Sequence, residues 1–403
     1  MKEGWTYKKL DDICTIVGRI GFRGYTKADL VNSSKDGAIT LSPSNIIDGE
    51  LDFSKCTYIN WDKYYESPEI MLGNGDIVLV KTASIGKCAV VKNLPHEATL
   101  NPQFVVLKQL VGVPDFICYY LKSPIAQKTI KQMAGGVAIP TLSQKKLGMM
   151  IVPTPSQNEQ QSIVEYLDSA FAKIDAMKAN AEKALNEAKT LFQKGLEEAM
   201  MPNEKWKEKT LGDICDIFGR IGFRGYTTKD LVQSPSDGAI SLSPSNIQDG
   251  KMDYTKLTYI SWFKYDESPE IKIYNGDILL VKTGSSFGKS ALVQGLPHEA
   301  TINPQSVVLK NCKINNVFFA YQLRTVRVLN EFNQFVSGTA IPTFSQAKLS
   351  TVPIQYPSND EQQSIVETLD SLKSKVDRLQ ENFDKISQEC DALKQAILRQ
   401  VFE

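Results

Sequence analysis

The stretch IVETLDSLKSKVDRLQENFDKISQECDALKQAI runs from Ile365 to Ile397. Its apolar residues Ile365, Leu369, Leu372, Val376, Leu379, Phe383, Ile386, Cys390, Leu393 and Ile397 step alternately by four and three, with no proline between them. That spacing is a heptad seam held for more than four heptads, which predicts one long amphipathic helix. The same register occurs 202 residues earlier, at Ile163, Leu167, Ala170, Ile174, Met177, Ala181, Ala184, Ala188, Leu191 and Gly195. The first seam is rich in alanine and the second carries Leu, Phe and Ile. Small residues facing large ones fill an interhelical layer without voids. The two helices, each roughly 60 Å long at 1.5 Å per residue, are therefore expected to pair within one chain as an antiparallel coiled coil. The side chains expected to carry that packing are Ile163, Leu167, Ile174 and Leu191 in the first helix. In the second they are Ile365, Leu369, Val376, Leu379, Phe383 and Leu393.

The repetition extends beyond the helices. Trp5 matches Trp206, LSPSNI at 41–46 matches 242–247, and NGDI at 74–77 matches 275–278, all at an offset of 201. A one-residue insertion separates KTASIGK (81–87) from KTGSSFGKS (282–290), and the offset then becomes 202: LPHEAT, AIPT and EQQSIVE all return. A period this long exceeds that of solenoid units, so the chain holds two copies of one large unit. Each copy opens with a basic segment and the motif GRIGFRGYT (18–26 and 219–227), followed by a region rich in Ser, Pro, Asn and Gly. Short β-type runs come next: DIVLVK after the Asn74–Gly75 turn signal, then KCAVVK, then FVVLK. Asp115 to Met133 carries helical spacing, and a Gly-rich turn, AGGVAIPT, leads into VPTPS. The expected fold class is thus α/β (mixed): two tandem globular domains at 1–155 and 201–357, and two long helices at 156–200 and 358–403, arranged about a pseudo-two-fold axis.

The chain has 403 residues and a formal net charge of zero, with 46 Lys and Arg against 46 Asp and Glu. The zero conceals a partition. Residues 1–155 hold 18 basic against 14 acidic side chains and residues 201–357 hold 17 against 14; the helical blocks are acidic, at 5 against 8 and 6 against 10. Basic globular blocks permit a polyanionic partner. The seven cysteines are odd in number and form no CxxC pair; Cys14 matches Cys215, but Cys88 matches Ser290 and Cys118 matches Ala320. This excludes a zinc or disulfide framework and fits small thiols in a reducing compartment. No apolar run reaches the length of a membrane span and no signal peptide opens the sequence, so the expected location is cytoplasmic, with no membrane partner.

Motifs that suggest catalysis fail on spacing. GSSFGKS (284–290) has three residues between Gly and Gly-Lys where a phosphate loop needs four, and the first copy, ASIGKC, lacks the opening glycine. NPQF (101–104) returns as NPQS, without an aromatic to stack on a base. The two histidines, His96 and His298, are copies of each other, and one His beside one Glu makes neither a metal site nor a triad. No nucleophile, base and electrophile stand together, so no catalytic and no metal residue is assigned.

KTASIGKCAVV, NPQFVVL, GGVAIPTLSQKKL and PSQNEQQSIVEYLD, with their second copies through PSNDEQQSIVETLD, carry a resemblance that spans the whole chain. The sequence is similar to the specificity (S) subunits of type I restriction-modification systems. The resemblance implies that each globular block is a target recognition domain gripping one half of a split site on double-stranded DNA. It implies that the helices are spacers that fix the half-site separation and dock two methyltransferase (M) subunits, with restriction (R) subunits joining the full complex. It implies no chemistry in this subunit: S-adenosylmethionine, ATP and magnesium belong to the partners. In many family members the two recognition domains diverge. Here they are near copies, which predicts equal half-sites and hence an interrupted palindrome.

Arginine reads guanine edges bidentately, Asn and Gln read adenine, and Lys and Ser reach phosphates. The candidate DNA contacts are accordingly Arg19, Arg23 and Tyr25 in the Gly-rich motif, Ser44 and Asn45 in the polar loop, and Lys81, Ser84 and Lys87 around the Gly turn. Their copies are Arg220, Arg224, Tyr226, Ser245, Asn246, Lys282, Ser286 and Lys289. Two other functions remain open to the sequence: an autonomous two-fold DNA-binding regulator, and a nucleotide-dependent enzyme built on the Gly-Lys turn.

Overall fold

A computed structural model describes residues 2–135, 140–334 and 345–403. Half of the AGGVAIPT turn, residues 136–139, and all of its copy lie outside the described residues. The chain forms two compact units, Met1–Glu182 with Phe383–Glu403, and Lys183–Asn382. Each unit therefore holds one globular domain and a part of both long helices.

In the first unit the runs predicted as strands form at Ile77–Val80, Cys88–Val90 and Phe104–Lys108. Together with Thr15–Val17 they make an antiparallel four-stranded sheet in the order Thr15–Val17, Phe104–Lys108, Ile77–Val80, Cys88–Val90. A second sheet places Gly37–Leu41 between Ala98–Leu100, which is parallel to it, and Tyr58–Asn60, which is antiparallel. The run IVLV is apolar at every position because both faces of its strand are covered. Val78 and Val80 enter a core with Ile39, Leu41 and Phe104. Ile77 and Leu79 enter a core with Phe116, Ile117 and Leu121. Alternate residues point to opposite faces, so one strand serves two cores. The second unit repeats this. Leu279 and Val281 join Ile240 and Leu242, while Ile278 and Leu280 join Phe318 and Phe319.

The helical spacing from Asp115 to Met133 resolves into two helices, Pro114–Lys122 and Pro124–Met133. Ser123 ends one and caps the next: its hydroxyl donates to Tyr120 O at 2.6 Å, and Pro124 opens the following helix, where a missing N–H costs nothing. The second unit has no proline there, but Thr325 makes the same break, donating to Gln322 O at 2.8 Å.

The long helices span Gln157–Ala199 and Asn359–Phe402. No helix among the described residues is long and apolar enough to cross a membrane. Within each unit the two run antiparallel. In the first, Cys390 Sγ lies 3.8 Å from Ile174 O, and Lys178 pairs with Asp391. In the second, Lys189 donates to Gln380 at 2.9 Å, and a Cβ on Gly195 would touch Leu372 at 3.4 Å.

The seam differs from the expected one at alternate positions. Leu167, Ile174, Leu369 and Val376 are buried, Phe383 is half-buried, and Ile163 and Ile365 pack on the domain cores. Leu191, Leu379 and Leu393 are 67%, 37% and 48% exposed, and Met177 is 60% exposed, so these four face away from the seam. Phe171, Lys178, Leu185 and Phe192 occupy the inward positions instead, one residue further along. Steps of three and four land on adjacent strips of the same face, and apolar content alone selected the wrong strip. The second helix carries lysines on the true strip. Lys394 Nζ sits 5.5 Å from the Phe171 ring and Lys373 Nζ 5.7 Å from the Phe192 ring. A lysine stem covers an aromatic face while its ammonium stays wet, so a charged residue can belong to the seam.

The joint between domain and helix explains the motif EQQ. Glu159 accepts the Trp5 indole N–H at 2.7 Å. Gln160, 5% exposed, accepts the Val113 N–H and donates to Pro155 O, both at 2.9 Å. Gly112 leaves room for it: at φ +122° it carries no Cβ, which would lie 2.8 Å from Gln160 Oε1. Glu361 and Gln362 repeat the arrangement with Trp206, Asn315 and Pro357.

Candidate nucleic-acid interface

The motif GRIGFRGYT leaves strand Thr15–Val17, makes a short 3-10 turn at Gly21–Arg23 and ends where Thr26 caps the next turn. Arg19 is the anchor of this loop. It is 5% exposed, its Nε donates to Leu100 O at 3.1 Å, and its two terminal nitrogens donate to Arg23 O and Thr99 Oγ1, both at 3.3 Å. The guanidinium also lies 5.3 Å from the Tyr25 ring centroid. Arg220 repeats every contact, with Ile302 O, Arg224 O, Thr301 Oγ1 and Tyr226. Burial lowers the pKa of both guanidiniums from the usual arginine value. The structure thus moves Arg19 and Arg220 off the accessible surface. They brace the loop from within, because three backbone and hydroxyl oxygens of the loop and the strand ends accept their N–H groups.

Arg23 is half-buried, with one terminal nitrogen 3.5 Å from Glu69, and Arg224 stands at the same distance from Glu270. Tyr25 OH shares a hydrogen bond with Thr40 at 3.0 Å, and Tyr226 OH with Ser241 at 2.7 Å. One connected group therefore joins the loop to strands Gly37–Leu41 and Ala98–Leu100 and to the turn Pro68–Ile70. Sequence reasoning missed Thr40, Glu69 and Thr99. The signal was available in the duplication, because PEI and AT recur at matched positions in both copies.

The remaining candidates divide. Asn45, 6% exposed, is also taken up internally. Its Nδ2 donates to Asp52 O and Lys55 O and its Oδ1 accepts the Ser42 N–H, so it staples its loop, and Asn246 does the same. Ser44 and Ser245 are accessible and bond only Ser42 and Ser243. Ser84, Lys87 and Lys289 are exposed, and Ser286 is half-buried. Lys81 and Lys282 are half-buried at the start of the Gly turn, where Ala83 at φ +64° and Gly284 at φ +93° take the left-handed region. That turn consumes its own N–H groups: Phe287, Gly288 and Lys289 donate to Gly284 O, Val281 O and Ser286 O. Those three N–H groups are thus not available to a phosphate. NPQ is a turn as well, in which Asn101 Oδ1 accepts the Gln103 N–H at 2.9 Å.

The chain is similar, at 22% identity over 425 residues, to the type I restriction enzyme EcoKI specificity subunit of Escherichia coli (strain K12), covering 100% of this chain and 89% of that protein. It is 22% identical over 331 residues to the type I restriction enzyme MjaVIII specificity subunit of Methanocaldococcus jannaschii, covering 77% of this chain and 75% of the relative. A solved chain from work on complex assembly and conformational transition of the type I R-M system superposes with a TM-score of 0.70 at 17% identity, covering 100% of this chain and 98% of that one. The family description that matches is the type I restriction modification DNA specificity domain, found twice, at residues 2–187 and 203–388. With both copies of the repeat matched and nearly the whole length covered, the chain belongs to the type I restriction modification DNA specificity domain family.

Proposed function

We propose that this chain is the DNA-sequence-recognition subunit of a type I restriction-modification complex, and that it performs no chemistry of its own. Each globular domain reads one half of a bipartite site. The paired helices set the half-site separation and dock two methyltransferase subunits, which supply S-adenosylmethionine and methylate adenine; restriction subunits, with ATP and magnesium, join the full assembly. The observation that carries this reading is the duplicated loop. Arg19, Arg23 and Tyr25 and their copies make the same hydrogen bonds to equivalent partners in both domains. Two loops built alike present alike surfaces, so the half-sites are equal and the site is an interrupted palindrome, with half-site centres about one helical turn apart as for other two-fold DNA readers.

Arg23 and Arg224 are the arginines of the motif left partly open to solvent. Each ion pair is a weak, half-exposed one that a better acceptor, such as a guanine edge, displaces at small cost. Mapping of methylated adenines with the wild-type complex should give a motif whose halves are reverse complements. The double variant Arg23→Ala, Arg224→Ala should lose specific binding. Halves that are not reverse complements contradict the equal-reader assignment, and unchanged site choice by the double variant contradicts the arginine assignment.

A further inference from the structure

Beside the arginine loop, each domain holds a second polar group. Lys81 follows strand Ile77–Val80, where its N–H donates to Gln103 O and its carbonyl accepts from the Leu142 N–H, both at 2.8 Å. The Lys282 N–H donates to Gln305 O in the same way. These bonds set where the side chain emerges. Some other half-buried cations have carboxylates, as Lys108 lies 3.0 Å from Asp76 and Lys264 2.9 Å from Glu267, whereas Lys122 donates to the Gly49 carbonyl at 2.8 Å. Lys81 and Lys282 have no ion-pair or side-chain hydrogen-bond partner among the described residues. Burial pulls both below the ordinary lysine value and no acid offsets it. A partly desolvated ammonium without a counter-charge costs free energy, and the fold keeps that cost twice.

Amides surround it. A Cβ on Gly219 would lie 3.2 Å from Gln346 Nε2 and 3.5 Å from Lys282 Nζ, so the glycine that opens GRIGFRGYT is what lets the two approach the strand end. At Gly18 the same position lies 2.6 Å from Gln144 Nε2. Asn101 Nδ2 donates to Gln103 Oε1 at 3.0 Å, and Asn303 to Gln305 at 3.1 Å. That contact orients the glutamine and leaves its Nε2 hydrogens without an acceptor among the described residues. The ammonium and the amide N–H groups are donors, and the major-groove edge of guanine presents two adjacent acceptors, N7 and O6, that such a set can engage.

We infer that Lys81, Gln103 and Gln144, with their copies Lys282, Gln305 and Gln346, form a base-reading head in each domain, the ammonium taking the O6/N7 edge of a guanine. This rests on the DNA-recognition reading above and adds the residues and the base. The test uses the full complex with its methyltransferase subunits, carrying Lys81→Met or Lys282→Met, with site preference read by methylation of a randomised DNA pool. Each variant should lose preference for guanine by about 5- to 150-fold at one position of one half-site, the two positions being related by inversion. Lys81→Arg should retain the preference. Thermal unfolding of the Met variants should match or exceed wild type, because an uncompensated charge has been removed. A uniform loss over all sequences, with the salt dependence shallower by about one phosphate, assigns the lysines to the backbone and overturns the inference. So does an unchanged motif. Both outcomes leave the recognition reading standing, whereas a wild-type complex with no sequence preference refutes that reading and the inference with it.

Discussion

Replacing Gln160 by methionine tests whether the EQQ motif is a structural joint. The side chain keeps nearly the same length, so no large cavity forms, but the Val113 N–H and Pro155 O each lose a partner at 2.9 Å in a position 5% exposed. An orphaned buried backbone group costs about 1–3 kcal/mol, giving roughly 2–6 kcal/mol for the pair. Burying the methionine offsets about 1.5–3 kcal/mol. The net loss is therefore about 0.5–3 kcal/mol, which for a unit of this size lowers the melting temperature by about 1–12 °C. Differential scanning calorimetry reads it directly. The neighbour supplies the control. Gln161 is exposed and bonds only Glu165, at 3.3 Å, so Gln161→Met should stay within about 0.5 kcal/mol of wild type. Equal effects of the two substitutions, or a Gln160→Met protein that melts with the wild type, would refute the reasoning, since of these two glutamines it is Gln160 that bonds both helix and domain.

Two further outcomes are expected. Phe402, 6% exposed, has ring centroids 5.4, 5.5 and 6.4 Å from Phe116, Tyr120 and Trp5, so Phe402→Ala should cost about 3–5 kcal/mol in urea unfolding followed by tryptophan fluorescence, and an unchanged midpoint would contradict the packing. The Asp29 carboxylate accepts the Thr26 N–H at 2.7 Å and is held below the usual carboxylate range mainly by that bond. Its contribution is complete above the ordinary value of about 4 and is lost as pH falls through the depressed one. Amide exchange at Thr26 should therefore stay slow from neutral pH down to about pH 4 and lose protection only below it; protection lost near pH 6 would be inconsistent.

The sequence was most legible where a pattern has one structural meaning. IVLV, apolar at each position and preceded by Asn-Gly, became a strand covered on both faces. The long helices followed from unbroken heptads. The seam was half legible, because an offset of three or four from Leu167 stays on one face and only the partner helix decides between them; here Ala170 yields to Phe171. The Ser123 break was written in the Ser-Pro pair, yet apolar residues such as Phe116, Tyr120 and Ile130 recur on both sides of it and mask the break. Arg19 and Asn45 were misread for a chemical reason. Both types that recognise bases also satisfy buried carbonyls, and composition does not tell an inward guanidinium from an outward one. The glutamines of SQ were overlooked because their approach depends on the side chain that Gly18 and Gly219 lack.

The first unit closes only with the last stretch of chain. Its core takes in Leu398 and Phe402, and Lys2 donates to Gln400 O and Val401 O at the end of the second long helix. The second unit is one continuous span, Lys183–Asn382, and its core receives Leu196 and Met200 from the stretch that directly precedes its domain. During synthesis from the N-terminus the domain made first is therefore the one finished last. It must wait for Phe383–Glu403, with a gap where Phe402 belongs, while the domain made second already has its whole core available. A chain released before that final segment would hold an open first domain and a closed second one.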